Sequence, residues 1–127
     1  MKTQITLFAL LSAVIVLSIG CQTAVIGPGD KTSATYRLGK LSSTVPANIS
    51  ISYKAAEAAM QELGLSVVQR VKDQLEGKII ARDAQDNRIV VDLISVTDAT
   101  TKLTINVNSL SKARRIYQAI LDNVPKA

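Results

Sequence analysis

After Gly64 the chain alternates apolar and polar residues four times in succession, a two-fold period that makes a β-sheet the body of the fold. Leu65, Val67 and Val71 alternate with Ser66, Val68, Arg70 and Lys72. Lys78 to Asp83 follows a break at Glu76-Gly77, and Ile89, Val91 and Leu93 follow Asp86-Asn87. Leu103, Ile105 and Val107 then alternate with Lys102, Thr104, Asn106 and Asn108. Successive side chains of a strand point to opposite faces, so each stretch predicts a strand with one face in a core. The connections are short and polar. Parallel neighbours would need crossovers of about a dozen residues, so the four strands are expected to pair as an antiparallel meander.

Two segments carry a helical period instead. Ile49, Tyr53, Ala56, Met60 and Leu63 fall on one helical stripe, with Asn48 placed to cap the first turn and Gly64 to end the last. A second helix is predicted from a cap at Ser109 or Ser111 to Val124, with Ala113, Ile116, Ile120 and Val124 on one face and Pro125 behind it. Thr35 to Val45 reads as a first strand, with Tyr36 and Leu38 on one side and a turn or bulge at Gly39-Lys40. The order β-α-β-β-β-β-α predicts an α+β two-layer sandwich, an antiparallel sheet of about five strands with two helices on one face.

Ahead of this body, Ile5 to Gly20 is uncharged and largely apolar behind a start that carries Lys2, which is the plan of a secretory leader. Leu17-Ser18-Ile19-Gly20-Cys21 resembles the bacterial lipobox, in which the cysteine is lipid-modified and freed by signal peptidase II, with Ser18 at the place where leucine is commonest. The expected division is a lipoprotein signal peptide at 1–20, an acylated cysteine and tether at 21–33, and a single domain at 34–127. Acyl chains on Cys21 would supply a stable membrane anchor, since two or more chains hold where one binds only reversibly. Gln22 after the cysteine, rather than aspartate, points to the outer membrane facing the periplasm in a two-membrane organism. Gly27-Pro28-Gly29 marks the tether as non-core, which would hold the domain near the lipid and bring Lys31, Arg37 and Lys40 within reach of anionic head groups.

These residues resemble a family of small bacterial lipoproteins classed as the domain of unknown function 3568. The resemblance rests on Cys21, on Ala34-Thr35-Tyr36 with Gly39-Lys40-Leu41, and on Ala55, Ala59 and Leu63-Gly64-Leu65. It continues through Gly77-Lys78-Ile79, Ala81 and Arg82, Ile105-Asn106-Val107, Arg115-Ile116 and Ala119-Ile120. It implies a one-domain envelope lipoprotein and no particular activity.

Composition narrows the chemistry. Histidine and tryptophan are absent, Phe8 is the only phenylalanine and Cys21 the only cysteine. Disulfides, histidine-based catalysis, cysteine nucleophiles and almost every zinc site are thereby removed. A Ser–Lys pair could still transfer an acyl group, and Ser50, Ser52 and Lys54 are close in sequence, but no glycine-rich elbow or phosphate loop accompanies them. Asp83, Asp86, Asp92 and Asp98 are too sparse for a calcium loop. Lys112, Arg114 and Arg115 have few aromatic stacking partners in a chain with three tyrosines, and an exported chain would not meet nucleic acid. No enzyme activity, metal or cofactor is expected.

One surface is left over. With Ile89, Val91 and Leu93 facing the helices, Val90, Asp92, Ile94 and Val96 face away, joined by Val68 and Ile80. Branched residues suit any pleat, so such a surface can be bare, but Val68, Val90, Ile94 and Val96 are the candidate interaction face. The expected function is a lipid-anchored structural or interaction module, its partner another envelope protein or a second copy. The alternative is a carrier or sensor of a small apolar ligand held between helices and sheet, where Ala55, Ala56 and Ala59 would leave room.

Overall fold

The computed structural model describes residues 24–26 and 34–126. The predicted signal peptide, Gly20, Cys21 and most of the predicted tether lie outside the described residues. The elements are β1 (Ala24–Ile26), β2 (Ala34–Arg37), β3 (Lys40–Val45), α1 (Ile49–Glu62), β4 (Ser66–Lys72), β5 (Glu76–Arg82), β6 (Arg88–Thr97), β7 (Thr100–Asn106) and α2 (Leu110–Asn123). The strands form one open sheet in the order β1-β2-β3-β7-β6-β5-β4, with neighbours antiparallel throughout. The fold is α+β, with both helices packed on one face of the sheet. Helix α1 carries the chain from β3 to the far edge, and the meander β4 to β7 then returns until β7 pairs with β3.

The helix ends follow from their residues. Asn48 Oδ1 accepts the amide of Ile51 at 2.9 Å, which satisfies one of the free donors of the first turn. Gly64 ends α1 in the left-handed region (φ +67), and the amide of Leu65 bonds back to Met60 O at 2.9 Å. Of the two candidate caps for α2, Ser109 is the one used: its Oγ accepts the amide of Lys112 at 3.4 Å. Neither described helix is long and apolar enough to cross a membrane.

The core lies between the layers. Leu41, Ile79, Ile89, Val91, Leu93, Leu103 and Ile105 of the sheet meet Ala56, Ala59, Met60, Ile116 and Ile120 of the helices, all fully or almost fully buried. Each such Leu or Ile contributes roughly 1.5–3 kcal/mol over leaving it exposed. Its few polar groups are paired: Ser43 Oγ donates to Tyr117 Oη at 2.8 Å and Thr101 Oγ1 to Ala47 O at 2.8 Å.

Four sequence expectations change. The single strand from Thr35 to Val45 is a hairpin, because Leu38 (φ +52) and Gly39 (φ +77) both take positive φ and form the tight turn whose twist matches antiparallel strands. Leu38 therefore stands at the tip, 90% exposed, and not beside Tyr36 on a strand. Part of the predicted tether also belongs to the sheet, since Ala24–Ile26 pair with Ala34–Tyr36 as β1. Finally, β4 carries a bulge: Val67 pairs with Ala81 and Gln69 with Ile80, which leaves Val68 as the extra residue. Everything after it changes face. Val71 is thereby turned outward, while Arg70 and Lys72 turn to the helix side, where Arg70 Nε meets Glu57 Oε1 at 3.1 Å and Lys72 Nζ lies 5.4 Å from the Tyr53 ring centre.

Candidate functional site

The face of the sheet away from the helices is assembled by strand register. One row across it runs Arg37, Lys40, Asn106, Val90, Ile80, Gln69, and the next Thr35, Ser42, Thr104, Asp92, Lys78, Val71. Arg88 pairs with Arg82 beyond the first row, and Lys102, Ile94 and Glu76 align beyond the second. Six cations thus share this face (Arg37, Lys40, Lys78, Arg82, Arg88 and Lys102) against the carboxylates of Glu76 and Asp92. Elsewhere in 34–126 acids and bases balance, so the whole excess positive charge of the described domain lies here.

Lys78 and Arg82 are engaged locally. Lys78 Nζ is 3.6 Å from Asp92 Oδ1, and Arg82 Nη1 donates to Asp86 O at 3.0 Å and lies 3.6 Å from its carboxylate. The side chains of Lys40, Arg88 and Lys102 form no ion pair among the described residues. Apolar side chains lie between the charges: Val71 is 48% and Ile94 44% exposed, while Val90 is half-buried beside the almost fully buried Ile80. A shallow depression of about 570 Å³ crosses the middle of the face, over Lys40, Val71, Lys78, Ile94 and Thr104.

The structure thus places Val90 and Ile94 on the outer face in regular register. Val68 and Val96 are exposed as well, but each is the extra residue of a bulge, in β4 and near the end of β6, and belongs to no row. Val71 and Leu38 were missed in the sequence. Val71 was hidden by the bulge, and Leu38 because Leu-Gly carries none of the Asn-Gly or Asp-Gly signal of such turns.

A second constellation sits at the end of the domain where β5 turns into β6. Asp83 Oδ1 accepts the amides of Gln85 and Asn87, and Asp83 Oδ2 accepts Asn87 Nδ2 at 3.0 Å and Lys112 Nζ at 2.6 Å. The Lys112 ammonium first, and then the Asn87 side chain, hold the Asp83 carboxyl well below the usual carboxylate range. Beside it a recess of about 250 Å³ is lined by Leu63, Leu65, Ile89, Ile116 and Arg115. Lys112 is therefore separated in role from Arg114 and Arg115, which are exposed on α2.

The serine and lysine of α1 are not brought together. Ser52 is buried and donates to Ala47 O at 3.3 Å, whereas Ser50 and Lys54 are exposed. Ala55, Ala56 and Ala59 are at most 2% exposed within the core. Among the described residues no three His, Cys, Asp or Glu side chains gather as a metal site.

A family model described as "Protein of unknown function (DUF3568)" matches residues 4–123. No curated protein matches the chain.

Proposed function

Since the chain belongs to this family of proteins of unknown function, we propose that it is a lipid-anchored envelope module, held by acyl chains on Cys21, whose outer sheet face is its interaction surface. One observation carries the reading: the outer face combines the domain's whole excess of positive charge with exposed Val71 and Ile94, while the apolar stripes of both helices are spent on the core. A face of that kind is a binding surface more than a solvated one. The role is one of binding and support without a catalytic step, in keeping with Ser52 being committed to Ala47 O. The carrier reading is supported only by the recess at Leu63, Leu65, Ile89 and Ile116, and its 250 Å³ falls below the roughly 300–1,000 Å³ usual for small-molecule sites.

The test has two arms. In the host, the wild-type chain is expected to take up labelled palmitate and Cys21→Ala to take up none; no uptake by the wild type refutes the anchor. Crosslinking from intact envelopes is expected to capture a partner through the outer face, and capture that persists unchanged in I94K with K102E removes the face from the reading. Co-purified lipid found by mass spectrometry in place of a partner would select the carrier.

A further inference from the structure

The connections of this fold divide the domain into two ends, and charge is not shared equally between them. The β2–β3 turn, the start of β4, the β5–β6 turn and the start of α2 lie at one end. Their proximity is seen in the bond from Val107 N to Gly39 O at 3.0 Å, and in the concavity that joins Gly39 and Asn108 to Arg88. That end carries Arg37, Lys40, Arg82, Arg88, Arg114 and Arg115, besides Lys112 bound to Asp83. Its other acids are Glu62 and Asp86. The opposite end, at the β4–β5 and β6–β7 turns, the start of α1 and the end of α2, carries Asp73, Glu76, Asp98 and Asp122 against Lys54, Lys72, Lys102 and Lys126, and is balanced in charge.

At the tip of the basic end stands Leu38. A leucine at φ +52 occupies the region that glycine or asparagine enters at much lower cost, and it gains nothing from burial there, being 90% exposed. The fold alone would be served better by a polar residue. Arg37 and Lys40 flank this leucine, so the tip reads basic, apolar, glycine, basic. Chain geometry supplies the third observation. Ala24 pairs with Tyr36, so β1 begins at the same end of the sheet, and Cys21 is three residues before it. Those three residues span at most about 11 Å.

We propose that the β2–β3 hairpin is a membrane-contacting tip, with Leu38 entering the interfacial layer and Arg37, Lys40 and Arg88 meeting the head groups of an anionic lipid surface. The inference rests on the anchor reading for its orientation: a lipid on Cys21 brings this end, and not the charge-balanced opposite end, to the bilayer. An apolar side chain ringed by cations is the chemistry that binds such a surface, the charges by Coulomb attraction and the leucine by leaving water. The far part of the outer face, at Ile94 and Lys102, then remains accessible to a protein partner.

The test uses the full chain, processed in its own host and reconstituted into vesicles of phosphatidylcholine with and without phosphatidylglycerol, each containing acyl-chain-brominated lipid. A fluorophore on L38C is expected to be quenched with phosphatidylglycerol, and the same fluorophore on I94C to remain unquenched. Reversing charge in K40E with R88E should return the position-38 signal to the phosphatidylcholine level. L38N, which suits the turn, should keep the thermal melt of the wild type or raise it while lowering vesicle contact at the hairpin, read by hydrogen exchange at residues 37–40. Equal signals at positions 38 and 94, or quenching indifferent to phosphatidylglycerol and to K40E with R88E, would overturn the proposal. Crosslinking of position 38 to a second copy without quenching would overturn it too. The mass of the Cys21 peptide separates the two readings: an acylated chain with an unquenched tip refutes only the hairpin contact, and an unacylated chain with a quenched tip refutes only the anchor.

Discussion

The ring of Tyr53 lies on the backbone of Gly77: a Cβ at position 77 would stand 2.7 Å from Tyr53 Cδ2 and 3.2 Å from Cε2. Gly77 is the second residue of β5 and Tyr53 is 5% exposed on α1, so this contact sets how closely the helix approaches the sheet at the β4–β5 edge. Lys72 closes over the same ring from β4.

Gly77→Ala is therefore expected to destabilise the domain by about 2 kcal/mol, the usual cost of overfilling a packed site. A thermal melt should show a midpoint lower by roughly 4–8 °C per kcal/mol for a domain of this size. Because the strain comes from one ring, Tyr53→Leu with Gly77→Ala should cost less than the sum of the two single changes.

Leu38→Asn should act in the opposite direction. Asparagine enters the left-handed region readily and Asn-Gly is the preferred pair for this turn, so the urea midpoint should rise by the equivalent of about 1 kcal/mol. A fall would mean that Leu38 makes a contact its 90% exposure does not suggest.

The Asp83–Lys112 pair predicts an acid sensitivity. The folded carboxyl titrates below its ordinary value of 3.8, so its contribution is fully present above about pH 4 and is lost as the pH falls below that. Asp83→Asn should be less stable than the wild type at neutral pH, and the two should converge in chemical denaturation toward pH 2. Parallel curves over that range would show that the pair does not couple to folding.

Two neighbours on the outer face should respond differently. Ile94 is exposed at the β6 end of the face, and Ile94→Lys should change stability by no more than about 0.5 kcal/mol. Val90 shields Ile80, which is only 8% exposed, so Val90→Ala should cost about 1 kcal/mol or more by removing two methyl groups from that contact. Equilibrium denaturation of both variants distinguishes them, and equal costs would refute the shielding of Ile80 by Val90.

Features under local chemical control are legible in the residues alone. Helix α1 runs between a cap at Asn48 and a left-handed glycine at 64, and each is legible within a turn or two of chain. The inward sets of β6 and β7, such as Ile89, Val91 and Leu93, follow from a period of two, and so do Val90 and Ile94 on the opposite face. Other features depend on partners distant in the chain. The bulges at Val68 and Val96 are single insertions visible only against a paired strand, and the first reversed the side on which Val71, Arg70 and Lys72 emerge. Pairing of β3 with β7, the addition of β1 to β2, and the bond of Lys112 to Asp83 across 29 residues leave no periodic trace. The basic end belongs to that second class: its cations come from three separate connections, and they become neighbours only because the antiparallel sheet folds alternate turns to the same end.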